Sequence, residues 1–421
     1  MIMYHRLAGP SQSPKNGNAD AADGRRWPQI RKISAKICQI CAICVLLNRF
    51  DMTLHRVAQS LAIVLGVGLI GAPCLFFETP YSSAWDGRVS YYVSPSGSDR
   101  NSGTAPTKPF KTIQKAVDLA QPGDVINLAP GVYLQDVISK RDGALDAPIT
   151  IKGPPGAVLK GGGSDRIFEI NHDNLTLEGF AIDGLWGSPR SIHGYREKLL
   201  YVAGKDAHNG VAGLRVLHMS FRNAGGECLR LRYFAQHNEV AYSSFLGCGV
   251  HDFKFHAGKR NGEAIYIGTA SEQRDNGKNP TGDVDRSNNN WIHHNTFNTQ
   301  GNECVDIKEG SSGNIVEHNS CTGQQDPNSG GFDARGNNNI FRYNESYGNA
   351  GAGIRLGGDT SKDGLDNAVY NNNIHDNRRG GIKLRRKRQA QICGNLMWGN
   401  ADGNIVGDQD VAFDPKAPCD G

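Results

Sequence analysis

The chain has 421 residues, with 46 Lys and Arg against 42 Asp and Glu, a net charge of +4, 53 Gly and 10 Cys. An apolar fraction of 38% is too high for a disordered polymer, and the length suffices for one large domain or two medium ones. The mild positive charge gathers into no dense Lys/Arg stripe, which excludes the electrostatic footprint of a nucleic-acid binder.

Residues 1–36 are polar and basic, with Arg25, Arg26, Arg31, Lys32 and Lys36. A short apolar run over 37–47 follows, then Met52, His55 and Arg56. Seventeen uncharged residues run from Leu61 to Phe77, ahead of Tyr81-Ser82-Ser83-Ala84. A basic start, an apolar middle and a small-x-small end are the order of a secretory signal peptide. The expected start is Met52 and the expected cut follows Ala84. That makes 1–84 an extension plus signal and 85–421 a single exported domain, secreted or periplasmic, with no stable membrane association. A retained anchor is the alternative, since the apolar run nearly spans a bilayer. Residues 1–84 hold nine Lys and Arg against four Asp and Glu, so 85–421 carries 37 basic and 38 acidic residues. The positive excess belongs to the leader.

Four cysteines (Cys38, Cys41, Cys44, Cys74) fall in the leader and six remain: Cys228, Cys248, Cys304, Cys321, Cys393 and Cys419. An even count is compatible with three disulfides. The pair expected here is Cys393–Cys419, pinning the C-terminal tail to the last strands.

From Val89 the chain reads as a short strand, then a Gly/Ser/Asn loop over 94–109, then FKTIQKAVDLA at 110–120. Ile113, Ala116, Val117 and Ala120 fall at i, i+3, i+4 and i+7, which predicts one amphipathic helix, ended by Gln121-Pro122-Gly123. Strand returns over 123–133, and beyond it no helical period recurs. Short apolar runs separated by Gly, Asn and Asp argue an all-β architecture.

Self-similarity gives the organisation. NWIHHN (290–295), NIVEHN (314–319), NIFRYN (339–344), NAVYNN (367–372) and AQICGN (390–395) align without gaps. Their final residues, Asn295, Asn319, Asn344, Asn372 and Asn395, are spaced by 24, 25, 28 and 23. Looser copies end at Gly179, Met219 and Ser243. Strands this short cannot pair within a unit and must pair with the neighbouring units, which predicts a parallel β-helix with Asn amides stacked at one turn. The helix at 112–120 would cap the open N-terminal edge.

A second strand column carries the charged residues: ECLRLR (227–232), EAIYIG (263–268), ECVDIK (303–308), GGFDAR (330–335), AGIRLG (352–357) and GGIKLR (380–385). Alternation sends one parity inward, Val305 and Ile307 for example. The other displays Arg230 and Arg232, Tyr266, Asp306 and Lys308, Asp333 and Arg335, Arg355, then Lys383 and Arg385 to solvent. At about 4.8 Å between strands, Asp306 neighbours Asp333 and Lys308 neighbours Arg335. Two such carboxylates repel unless a proton or cation separates them, and calcium, which takes oxygen ligands, is the simplest partner. Glu227, Glu263 and Glu303 form a further ladder that would add ligands or cap turns. A cationic neighbour lowers a lysine towards usefulness as a base. The plainer reading is a solvated face on which these charges neutralise one another. Long insertions at 179–219, with Trp186, Arg190, His193, Tyr195 and Arg196, and at 243–295 would wall a cleft, and their aromatic and basic residues suit an acidic polysaccharide.

The stretch YYVSPSGSDRNSGTAPTKPFKTIQKAVDLAQPGDVINLAPGVY (91–133) resembles the opening of pectate-lyase-like right-handed parallel β-helix proteins. GEAIYIGT (262–269), NECVDIKEGSSGNIVEHN (302–319), GFDARGNNN (331–339) and GAGIRLGG (351–358) resemble the alginate lyase and chondroitinase B family of polysaccharide lyases. The resemblance implies Lys308 as catalytic base, Arg335 as its assistant, and calcium held by one Asn and two Glu. Glu303 matches one of those Glu, whereas Gly301 stands at the place of the other. Asp306-Ile307 stands where that family has Ser-Asn before the Lys. The expected function is calcium-assisted β-elimination on a uronate polymer by a monomeric exported lyase. Its metal ligands would be Asp306, Asp333, Glu303 and Glu263, and substrate would meet Arg230, Arg232, Tyr266, Arg355 and Lys383. A β-helix esterase, hydrolase or epimerase, or a non-catalytic polysaccharide-binding coil, is the alternative.

Overall fold

A computed structural model describes residues 87–258, 261–386, 388–407 and 413–419; the leader, Met52 and the cleavage position after Ala84 lie outside them. Each turn of the chain contributes three short strands, and each strand pairs with its counterpart one turn away. The result is three parallel sheets of 11, 10 and 10 strands. The first runs from Ser90–Val93 to Gln391–Cys393, the second from Gly131–Tyr133 to Leu396–Trp398, and the third from Val137–Ile138 to Ile405–Gly407. This is the expected parallel β-helix. The expected helix forms over Ile113–Leu119, capped by the Thr112 side chain, with Ile113, Ala116 and Val117 buried against the first coils.

Inward positions fill one continuous core of Ile, Leu, Val and Phe. Equivalent residues on successive rungs touch, as in the stack Phe221–Phe245–Phe297 at centroid separations of 4.8 and 4.9 Å. Between the first and second sheets the chain turns through a residue in the left-handed region followed by an inward one. His218, Tyr242, His294, His318 and Tyr343 hold φ between 53° and 55° at that turn. Their rings lie one on the next outside the coil, 4.8–5.1 Å apart. Inside, Ser243, Asn295, Asn319, Asn344, Asn372 and Asn395 form the expected ladder. Asn319 accepts the Asn295 backbone and side-chain N–H groups at 2.9 and 3.0 Å, and donates to Ile292 O and Asn344 Oδ1 at 2.9 and 3.1 Å. The Asn319 amide is thereby satisfied by its neighbouring rungs.

Several details differ from the expectations. The earliest loose copy is displaced by one residue: Leu217 pairs with Glu178, so Gly179 takes the turn and Phe180 the ladder position. A second Asn ladder runs through Asn238, Asn290, Asn314, Asn339 and Asn367. A one-turn helix, Val250–Phe253, and two 3₁₀ turns interrupt the strands. Three disulfides form, Cys228–Cys248, Cys304–Cys321 and the expected Cys393–Cys419.

Candidate active site

On the third sheet the outward parity forms one column through seven successive strands: Tyr201, Arg230, Tyr266, Asp306, Asp333, Arg355 and Lys383. The expected neighbours are therefore in register. They are not on a solvated face, however. Arg230, Arg232, Tyr266, Asp306, Lys308, Asp333 and Arg355 are all buried, between 0 and 6% exposed, because the insertions fold back over them. Arg232 donates to Asn279 Oδ1 at 2.5 Å and Arg230 to Gln273 Oε1 at 3.2 Å, both from the insertion. Lys383 and Arg335 remain half-exposed and Arg385 exposed, with the Lys383 ammonium 3.1 Å from Asn328 O.

Burial changes the electrostatics. Glu263, Glu303 and Asp306 bring carboxylate oxygens within 4.8 Å of one another. Glu303 accepts the Ser329 hydroxyl through Oε1 and Glu263 accepts the Gly262 N–H at 2.9 Å. Among the described residues, Glu303 Oε2 and Asp306 Oδ1 have no hydrogen-bond partner. Burial, reinforced by the neighbouring carboxylates, holds Glu303 well above the ordinary carboxylate range and raises Glu263 as well. Such crowding calls for protons or a cation.

Asp333, expected as a fourth ligand, is drawn elsewhere. Its two oxygens take Arg355 Nη1 at 2.8 and 2.6 Å, so it stands outside the three-carboxylate cluster. Arg355 in turn clamps Asp333 through Nη1 while still lining the cavity beside Lys308. Glu227 is likewise no ligand. It binds Arg230 at 2.7 Å and Lys198 at 3.1 Å, which overcome burial and depress it to about 2.

Lys308 corrects a further expectation. Its ammonium lies 2.6 Å from Asp306 Oδ2 and 4.5 Å from the centre of the Tyr266 ring, whose other contact is the Arg230 guanidinium at 3.6 Å. Burial and Arg335 both act to lower Lys308, but Asp306, Tyr266 and Glu263 outweigh them and hold it well above the ordinary lysine value. As the site stands, Lys308 is a protonated ammonium. Arg335 is steadied by Asp359 at 3.1 Å and Glu309 at 3.5 Å, with Asp333 at 3.8 Å.

Lys308, Arg335 and the three carboxylates open onto a cavity of about 330 Å³. It shares Asn261 and Gln273 with a second cavity of about 770 Å³ further towards the N-terminus. The expected cleft residues His193, Tyr195 and Arg196 line that second cavity, with the Arg196 guanidinium 4.0 Å over Trp186. Sequence reading missed Tyr201, Lys198, Ser329 and Glu309. The segment KLLYVA (198–203) is one more copy of the charged column, pairing Tyr201 with Arg230, and extending that alignment one rung upstream would have found it.

Residues 248–413 match the family described as "Right handed beta helix region", and residues 95–183 match "Protein of unknown function (DUF1565)". Among solved structures, the alginate lyase from Paenibacillus sp. str. FPU-7 is similar at a TM-score of 0.52 and 19% identity, over 69% of this chain and 96% of that one. Pectate lyase Pel9A is similar at a TM-score of 0.56 and 14% identity, over 77% of this chain and 79% of that one. Identities this low speak for the fold. No curated protein matches the chain.

Proposed function

We propose that this chain, a right-handed parallel β-helix protein of the pectate-lyase-like superfamily, is a polysaccharide lyase acting on a uronate-containing polymer, with Lys308 as the base. One observation carries the reading: a buried lysine faces a cavity between an arginine and a crowded cluster of under-satisfied carboxylates. The two structural neighbours above, an alginate lyase and a pectate lyase, are compatible with that chemistry on the same coil.

The partnerless oxygens of Glu303 and Asp306 fit a hard divalent cation such as calcium, with Glu263 as the third ligand. Bound there, the cation would supply charge that cancels the carboxylate field on Lys308 and helps neutralise a substrate carboxylate. Arg335, fixed by Glu309 and Asp359, is placed to pair with that same carboxylate and make the adjacent C5 proton acidic. Lys308, once it has released its resting proton to solvent, takes the C5 proton. The C5 electron pair forms the C4–C5 double bond, and the C4–O bond breaks with its electrons on the glycosidic oxygen, which takes a proton back from the Lys308 ammonium or from water to leave as a hydroxyl. Tyr266 and Arg230 form the wall against which the sugar rests. Export belongs to the same proposal, supported by the three disulfides, which persist in oxidising compartments.

The test is incubation of the purified protein with alginate, pectate and glycosaminoglycans, with and without chelator, following absorbance of the unsaturated product. Lys308→Ala should remain folded and lose about 10²–10⁴-fold in rate. A folded Lys308→Ala with full activity overturns the assignment.

A further inference from the structure

Among the described residues, more positive than negative charge lines the larger cavity. Six cations line it: Arg166, Arg196, Lys198, Arg230, Arg232 and Lys278. Three carboxylates do so as well, Asp165, Glu197 and Glu227. Glu227 is consumed by Arg230 and Lys198, and Arg166 is held by Glu169 at 2.8 Å while its guanidinium stacks 3.6 Å over Tyr201. Glu197 goes to His251 at 2.9 Å. Three cations are left, against Asp165, the one lining carboxylate with no ion pair among the described residues. Arg232 receives only neutral oxygens, from Asn279, Asn276 and Gln273. Arg196 rests on Trp186. Among the described residues, neither they nor Lys278 have a carboxylate partner.

A cluster of like charges around one cavity is unfavourable unless something anionic enters it. The repulsion is visible at Lys278, which burial and the nearby Lys198, Arg232, Arg166 and Arg230 together lower from its ordinary value. Lys278 sits in the insertion that also covers Arg230 and Arg232, so the cations converge from the coil and the insertion on the same space. Arg232 lies two rungs from Lys308 and Tyr201, at the far side of the cavity, three rungs from Asp306, roughly 10 and 14 Å at the usual strand spacing. That is the length of several sugar residues, and the two cavities share a wall, so one continuous strand could occupy both.

We propose that Arg232, Lys278 and Arg196 form a second anion-binding site, which takes a carboxylate or sulfate several sugar residues away from the residue at Lys308. The inference rests on the acidic-polymer reading but not on cleavage. It makes the protein selective for longer anionic chains, with affinity gained from a group that does not react.

The experiment measures binding of oligouronates to the full chain carrying Lys308→Ala, by calorimetry, comparing a dimer with a hexamer. The hexamer should bind at least tenfold more tightly. Lys278→Ala, on an exposed insertion, should erase most of that difference and leave the dimer unchanged. In the Lys308 protein the same substitution should raise KM on long substrates with kcat unaltered. A sulfated hexasaccharide in parallel separates the two anion chemistries, the tighter binder naming the group. Equal affinity for dimer and hexamer, or a hexamer indifferent to Lys278→Ala, overturns the second site. Chain-length-dependent binding without any cleavage by the unsubstituted protein would instead overturn the lyase reading and leave this site standing.

Discussion

Glu303 shows most clearly how a single residue in this site is poised. One oxygen takes the Ser329 hydroxyl while the other has no donor, and Asp306, Glu263 and Asp333 raise its pKa further after burial has done so. A carboxyl whose folded value lies above its unfolded 4.5 favours the folded state at low pH, and that stability is lost as pH rises through the raised value. A cation bound at the cluster would remove the penalty only where the carboxylates are ionised. Calcium is therefore expected to raise the melting temperature near neutral pH and to leave it almost unchanged at about pH 4. Glu303→Gln should abolish that response and, in chelator at neutral pH, exceed the parent in stability by about 1–3 kcal/mol. Equal calcium shifts at both pH values, followed by scanning calorimetry, would refute this. Strand parity was enough to place Asp306, Lys308, Asp333 and Arg335 on one face from sequence. It could not assign partners, because Lys308 lies as close to Asp306 on its own strand as to its neighbour across the rung, and charge sign decides the choice.

At the scale of the repeating element, stability depends on amides that serve two rungs at once. Asn319 fills four hydrogen-bonding roles, and Asn319→Ala would remove the acceptor of the Asn295 N–H and the side-chain donor to the Ile292 carbonyl in a dry interior, while Asn344 Oδ1 keeps the Asn319 backbone N–H. With about 1–3 kcal/mol for each buried group left unsatisfied, the substitution should cost on the order of 3 kcal/mol in denaturant titration. A loss below 1 kcal/mol would mean that water replaces the amide. The same Asn spacing made the coil legible in sequence, because a buried ladder tolerates few other residues. The second-sheet strands were not legible. In Thr296–Asn298, Ser320–Thr322, Glu345–Tyr347 and Asn373–His375 the central residue is buried and its flanks are polar, which is too little alternation to separate a strand from a loop. The stacked His and Tyr at the left-handed turns were hidden for a different reason. Nothing in composition marks a residue for positive φ when it is not Gly or Asn, and here the stacking of turn on turn accompanies the strained backbone.

Across the whole molecule, a solenoid has no contacts between distant rungs, so its cohesion is the sum of neighbouring interfaces. Two disulfides strengthen the interfaces that matter to the site. Cys228 precedes Leu229–Arg232, and Cys248 follows the second-sheet strand Ser244–Leu246 of the next turn; Cys304 precedes Val305–Ile307, beside Asp306 and Lys308, and Cys321 lies within the second-sheet strand Ser320–Thr322 of the next turn. All four cysteines are fully buried, whereas Cys393 and Cys419 close the tail at the C-terminal end, where Cys419 is partly exposed. Thiol exchange needs access to sulfur, so a mild reductant should open the tail bridge alone and spare the central ones until the coil unfolds. Alkylation under native conditions, mapped by peptide mass, should then label two of these six cysteines with polysaccharide turnover retained. Replacing Cys304 and Cys321 together by Ala should cost about 3 kcal/mol, in keeping with closure of a loop of this size. Labelling of Cys228 or Cys304 in the native protein would show that the rungs bearing the site open independently of the coil, contrary to the cohesion argued here.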